Sequence, residues 1–223
     1  MINSEENRVA YNLALSHGIS SIIIFLSRVI KCGMINEKVM EILSCAINYM
    51  LLQQKDFSQF GSYFPNYILT NSANSLSKSR MAWCYGDLGI GIALWQAGKA
   101  IDKPEWKEKG LEIILKSTQR RNYNDSMVID AGICHGTAGI AMLFRRMYLE
   151  TGRNEFKEAT SYWIQQTLNF SNFEDGLVGY KTLLRDGWIC DYSLLTGIAG
   201  VGLVLFSYLE NDLQNWDELF LLS

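Results

Sequence analysis

Hydrophobic positions along the chain form two alternating kinds of run. In one kind, apolar residues recur on a single face at helical spacing. Val39, Ile42, Leu43, Ala46, Ile47 and Met50 make the first such segment, Trp106, Ile113 and Ile114 a second, and Phe156, Ala159 and Trp163 a third. In the other kind the run is apolar nearly all round, as in Ile90-Gly91-Ile92-Ala93-Leu94-Trp95 and Val201-Gly202-Leu203-Val204-Leu205-Phe206. A helix that is apolar on every side must be buried on every side, whereas a one-faced helix borders a core. The pattern predicts inner helices alternating with outer ones in an all-α fold. The closed solution to that alternation is an α/α toroid.

Each all-round apolar run opens on a small-residue turn, and these turns repeat. They read His17-Gly18-Ile19-Ser20-Ser21-Ile22, Cys84-Tyr85-Gly86-Asp87-Leu88-Gly89-Ile90-Gly91, Cys134-His135-Gly136-Thr137-Ala138-Gly139-Ile140-Ala141 and Leu195-Thr196-Gly197-Ile198-Ala199-Gly200-Val201-Gly202. The first glycines, Gly18, Gly86, Gly136 and Gly197, are spaced by 68, 50 and 61 residues. Uneven steps of this kind suit a helical-pair repeat whose loops vary in length. Residues 55–79 and 171–193 read as long connections, and connections of this length inside a compact domain are often functional. Neither has the composition of an interdomain linker, so 1–223 reads as a single domain.

Composition narrows the class. Hydrophobic residues make up 48% against 19% charged, which excludes disorder, and only Pro65 and Pro104 interrupt the helices. The net charge of -3 comes from intermixed residues without a basic block, which excludes nucleic acid as the main partner. The N-terminus, Met-Ile-Asn-Ser-Glu-Glu, is acidic where a secretory signal is basic. The most apolar run, Ile19 to Ile30, is too short to span a bilayer and contains Arg28. The expected location is therefore cytoplasmic, with room for peripheral association at the inner membrane face.

Five cysteines, an odd number without small-scaffold spacing, read as reduced thiols rather than disulfides. Cys84 occupies one glycine turn and Cys134-His135 the next. Two thiolates and an imidazole match a catalytic zinc site with an open fourth position. At a helix N-terminus, unpaired N–H groups and the helix dipole favour thiolate over thiol. Only two histidines exist, His17 and His135, and both fall in this register. Two other readings stay open: a structural zinc completed by Cys190, and buried small residues beside a core histidine.

Arg80-Met81-Ala82-Trp83-Cys84-Tyr85-Gly86 followed by Cys134-His135-Gly136 resembles the lanthionine synthetase C-like family, most closely its stand-alone class I lantibiotic cyclases. The resemblance runs from about His17 to Leu209. It implies an α/α toroid of seven inner and seven outer helices, of which this chain carries four turns. The chain thus looks like the C-terminal four of seven repeats, an incomplete barrel. The N-terminal repeats are lacking, and with them the acidic active-site residue contributed there. A shortened gene, a fragment, or self-association over the open edge each accounts for that.

The resemblance further implies one Zn2+ held by Cys84, Cys134 and His135. The implied reaction is Michael addition of peptide cysteines to dehydroalanine or dehydrobutyrine in a dehydrated lantibiotic precursor. His17 falls where the family carries an acid/base histidine, and Arg80 and Tyr85 match the pocket residues flanking the first zinc cysteine. Implied partners are the precursor peptide and a dehydratase and exporter in a membrane-associated complex. Three alternatives are weighed beside this: a catalytically impaired zinc- and peptide-binding scaffold, zinc chemistry on a small thiol such as glutathione, and a toroid glycosidase. The last needs paired carboxylates, and the acids near the turns, Asp87, Asp130 and Asp191, show no pairing in the sequence.

Overall fold

The apolar runs fold as helices, and short strands lie before the first helix and in the connections between later ones. The computed structural model describes residues 2–3, 8–69, 77–210 and 215–222. The polar run that begins at Thr70 lies largely outside the described residues. By internal packing the chain forms two compact units, Met1–Arg80 with Cys84–Ser117, and Met81–Trp83 with Thr118–Ser223.

In the first unit, β1 (Ile2–Asn3), β2 (Arg8–Asn12) and β3 (Tyr67–Leu69) form an antiparallel ribbon in which Ala10 faces Leu69 and Asn12 faces Tyr67. Helices α1 (Ile19–Lys31), α2 (Glu37–Leu51), the single-turn α3 (Phe57–Phe60), α4 (Asp87–Ala100) and α5 (Pro104–Ser117) complete it. Every residue of α4 from Asp87 to Gly98 is buried, as an all-round apolar run requires. α4 packs most extensively on α5, and glycine allows the approach: a Cβ on Gly110 would stand 2.5 Å from the Gly91 carbonyl oxygen. The outer stripe of α2 is narrower than the sequence predicts. Leu43, Ile47 and Met50 are buried, but Ile42 is exposed, because α2 rests chiefly on α1 and presents only one edge to it.

In the second unit, the single-turn α6 (Tyr123–Ser126) precedes α7 (Thr137–Thr151) and α8 (Asn154–Asn169). The hairpin of β4 (Thr182–Leu184) and β5 (Gly187–Ile189) follows, then α9 (Ile198–Leu209) and a 3-10 segment, Asn215–Phe220. α7 is buried from Thr137 to Phe144, and Arg146 and Met147 are buried beyond that. α8 lays Phe156, Ala159, Trp163 and Ile164 against it.

The two flanking inner helices depart from the all-round burial that their composition predicts. α1 leaves Ile22 and Phe25 exposed, and α9 leaves Phe206 and Leu209 exposed. Within its unit α9 packs chiefly on α7. Among the described residues, no helix is long and apolar enough to cross a membrane.

Candidate metal centre

The glycine turns share one backbone construction. The residue six positions before the glycine starts a short loop that folds back onto the coming helix. At that position Asn12, Asp130 and Asp191 each accept, through Oδ1, the N–H two residues on: Ala14 at 2.8 Å, Gly132 at 3.2 Å and Ser193 at 2.8 Å. The helix start then bonds back to the loop, Thr137 N–H to the Asp130 carbonyl at 3.0 Å and Ile198 N–H to the Asp191 carbonyl at 2.8 Å.

This closure leaves no room for a side chain. A Cβ on Gly197 would stand 2.2 Å from the Asp191 carbonyl oxygen, and Gly86 in addition takes φ +79, a region that favours glycine. One expectation changes as a result. The first N–H groups of α7 are bonded to loop carbonyls, so the helix dipole remains for Cys134 but the free donors do not.

Equivalent turns are also stitched to each other. The residue two before the glycine donates to its counterpart in the following turn. Ser16 N–H and Oγ–H donate to the Cys84 carbonyl at 3.4 and 3.3 Å, and Cys134 N–H donates to the Leu195 carbonyl at 2.8 Å. A cysteine at this position is therefore fixed at its backbone before any metal arrives.

The ligand atoms of Cys84, Cys134 and His135 all lie within 4.8 Å of one another, the one such group found among the described residues. Cys84 is buried, and Cys134 and His135 are half-buried. Two thiolates at about 2.3 Å from a tetrahedral zinc stand roughly 3.8 Å apart, so side-chain adjustment of an ångström or less suffices. The donor set fits a zinc ion.

Asp130 strengthens that fit. Its Oδ2 stands 3.2 Å from His135 Nε2, is buried, and has no hydrogen-bond partner among the described residues. A carboxylate on Nε2 favours the tautomer protonated there and leaves Nδ1 as the nitrogen that offers a lone pair once the ring is neutral. The Asp130 contact first, and the neighbouring Cys134 second, push the His135 pKa up to about 9. The equivalent pair in the last turn is Thr196 and Asp191, joined by a 2.6 Å hydrogen bond. A polar residue before the glycine thus meets the acid six before it in both turns, and only one of the two pairs carries a candidate metal ligand. Sequence reasoning noted Asp130 as an acid near a turn but not as this partner. The signal was its shared offset with Asn12 and Asp191.

The other predicted residues are placed less tightly. His17 is exposed and outside the three-residue cluster, though Ser16 before it is held on Cys84. Arg80 and Tyr85 are half-buried on either side of Met81–Cys84. Cys190 lies apart, its thiol 3.3 Å from the Asp175 carbonyl, so it does not complete a structural zinc site. The acids near the turns are each engaged in the fold, Asp130 and Asp191 in their own turns. Asp87 is buried and accepts the N–H groups of Tyr63 and Phe64, both at 2.9 Å, which ties the 55–79 connection to the start of α4.

The family model described as lanthionine synthetase C-like protein matches residues 2–221. The nisin biosynthesis protein NisC of Lactococcus lactis subsp. lactis is 26% identical over 221 residues, 95% of this chain and 48% of that protein. The solved structure of nisin cyclase superposes with a TM-score of 0.74 at 20% identity, covering 96% of this chain and 50% of that one. The chain spans about half the length of these relatives, their C-terminal half. The fold is shared, including the α/α toroid class.

Proposed function

The chain belongs to the lanthionine synthetase C-like family, and we propose that it closes thioether rings in a dehydrated lantibiotic precursor. One observation carries this reading: Cys84, Cys134 and His135 gather their ligand atoms within 4.8 Å, with the Asp130 carboxylate behind the imidazole. Nothing in a core of packed side chains calls for two thiols and an imidazole backed by a buried acid, and a zinc ion does. Cys84, Cys134 and His135 would hold the ion, and zinc would supply Lewis acidity that lowers the pKa of a substrate thiol.

The chain's own residues have the remaining work. His17 accepts the thiol proton as sulfur attacks the β-carbon of a dehydrated residue. The C=C pair moves onto the carbonyl oxygen as the C–S bond forms, and His17 returns the proton to the α-carbon. No atom is lost in the sum. Arg80 offsets the charge on the enolate oxygen or holds peptide carbonyls, and Tyr85 orients a neighbour by hydrogen bonding. The work takes place in the cytoplasm, at the inner membrane face when a dehydratase and exporter are present.

A scaffold that binds zinc and peptide without turnover is the second reading, favoured by His17 lying exposed and outside the three-residue cluster. Incubating the purified, zinc-loaded chain with a dehydrated precursor separates the two. Protection of cysteine thiols from alkylation at unchanged peptide mass indicates cyclisation, and fully alkylatable thiols indicate the scaffold. His17→Asn should keep its zinc and slow ring closure roughly 100-fold, the usual scale for a general acid–base residue. Unchanged turnover in that variant would remove His17 from the mechanism.

A further inference from the structure

One of the three proposed ligands is not carried by the α7 turn. Cys134 and His135 immediately precede α7, whereas Cys84 follows Met81–Trp83 far earlier in the chain. That short segment packs with Thr118–Ser223, and its contacts lead back to α7 by another route. Met81 N–H donates to the Ser126 carbonyl at 2.8 Å. The buried indole of Trp83 donates Nε1–H to the Phe220 carbonyl at 2.7 Å, and its ring meets the Phe220 ring edge-on at 5.5 Å. Trp216 also meets Phe220 edge-on, at 5.7 Å.

Phe220 is in turn anchored through Asp217, three residues before it. Asp217 is buried and accepts two bonds from the buried Arg146 guanidinium, Nε to Oδ2 at 2.7 Å and a second terminal N–H to Oδ1. Leu222 N–H closes the segment on the Asp217 carbonyl at 3.2 Å. A continuous path therefore runs from α7 through Arg146, Asp217, Phe220 and Trp83 to the peptide bond of Cys84.

We infer that Asn215–Phe220 is a strap that holds Cys84 where Cys134 and His135 can share a metal with it, with Trp83 and Asp217 as positioning residues. The inference rests on the metal reading above. A buried ion pair adds little net stability because both charges lose their hydration, but it fixes geometry when bidentate. A buried indole N–H likewise demands one particular acceptor. Metal sites need that geometry, since ligand atoms must stay placed within about half an ångström to bind well. Trp83 is one residue from a proposed ligand, so a displaced indole moves the sulfur with it.

Two conservative variants test this on the full chain. Trp83→Phe keeps an aromatic ring and loses the N–H, and Asp217→Asn keeps the shape and loses the ion pair. Zinc affinity is read by competition with a chromophoric chelator, and cobalt substitution reports how many thiolates ligate through its sulfur charge-transfer band. Both variants should bind zinc roughly tenfold more weakly, the lower end for outer-sphere partners, with a diminished cobalt–thiolate band. Thr160→Val, which removes a buried bond to the Phe156 carbonyl in the same unit, should lower the melting temperature without moving either metal signal. Unchanged affinity and unchanged cobalt spectra in both strap variants, with wild type binding normally, overturn the inference. A wild-type chain that takes up neither metal overturns the metal reading instead.

Discussion

Asp130 has two oxygens with different duties. Oδ1 closes the turn by accepting the Gly132 N–H, as Asn12 and Asp191 do in their own turns, while Oδ2 faces His135. Asp130→Asn keeps the first contact and weakens the second. It should lower zinc affinity by about 10- to 100-fold, the range for a carboxylate behind a metal-bound histidine. In the metal-free chain it should also drop the His135 pKa from about 9 towards its ordinary 6.5. The sign of the linkage follows. A histidine with a raised folded-state pKa contributes stability that is fully present below about 6.5 and is lost as pH rises through about 9. Metal uptake must displace that proton, so affinity should climb over the same window. An NMR titration of His135 checks this, and a midpoint near 6.5 in the wild-type apo chain would contradict the contact.

The glycine turn is the element that the sequence announced best and explained least. Gly18, Gly86, Gly136 and Gly197 were legible as a repeat, and the turns do begin α1, α4, α7 and α9. What the spacing could not show is why glycine is needed: the helix start presses against the residue six back, through its backbone carbonyl at Gly18, Gly86 and Gly197 and through its side chain at Gly136, a contact made only once the loop has folded. The two cysteines and His135 were legible because they share the turn register. Asp130 and the strap were not, since their partners are set by tertiary packing: Trp83 meets Phe220 across 137 residues of sequence.

Two glycines in neighbouring positions separate these causes. Gly197→Ala should destabilise by about 1–3 kcal/mol, the cost of overpacking against immovable backbone. Gly202→Ala, inside α9 with open space where its Cβ would go, should stabilise by about 0.5–1 kcal/mol through helix propensity. Chemical denaturation of both variants reads the difference, and equal effects would reject the close-contact account.

At the scale of the whole molecule, two inner helices expose apolar side chains among the described residues: Ile22 and Phe25 on α1, and Phe206 and Leu209 on α9. Patches of this kind normally find a partner. The 25.4 kDa chain should therefore self-associate with rising concentration in sedimentation experiments, and Phe25→Glu combined with Leu209→Glu should return it to the monomer. A wild-type chain that stays monomeric throughout would show that these faces do not drive assembly. Inner and outer helices were read correctly from apolar periodicity where both flanks are packed, in α4 and α7, and incompletely where one flank is not.

The central claim, that Cys84, Cys134 and His135 hold one zinc ion, has a direct measurement in the metal content of the purified chain and of Cys84→Ala. The account predicts close to one zinc per wild-type chain and its loss in the variant. Full zinc in Cys84→Ala, or none in the wild type supplied with zinc, would contradict it.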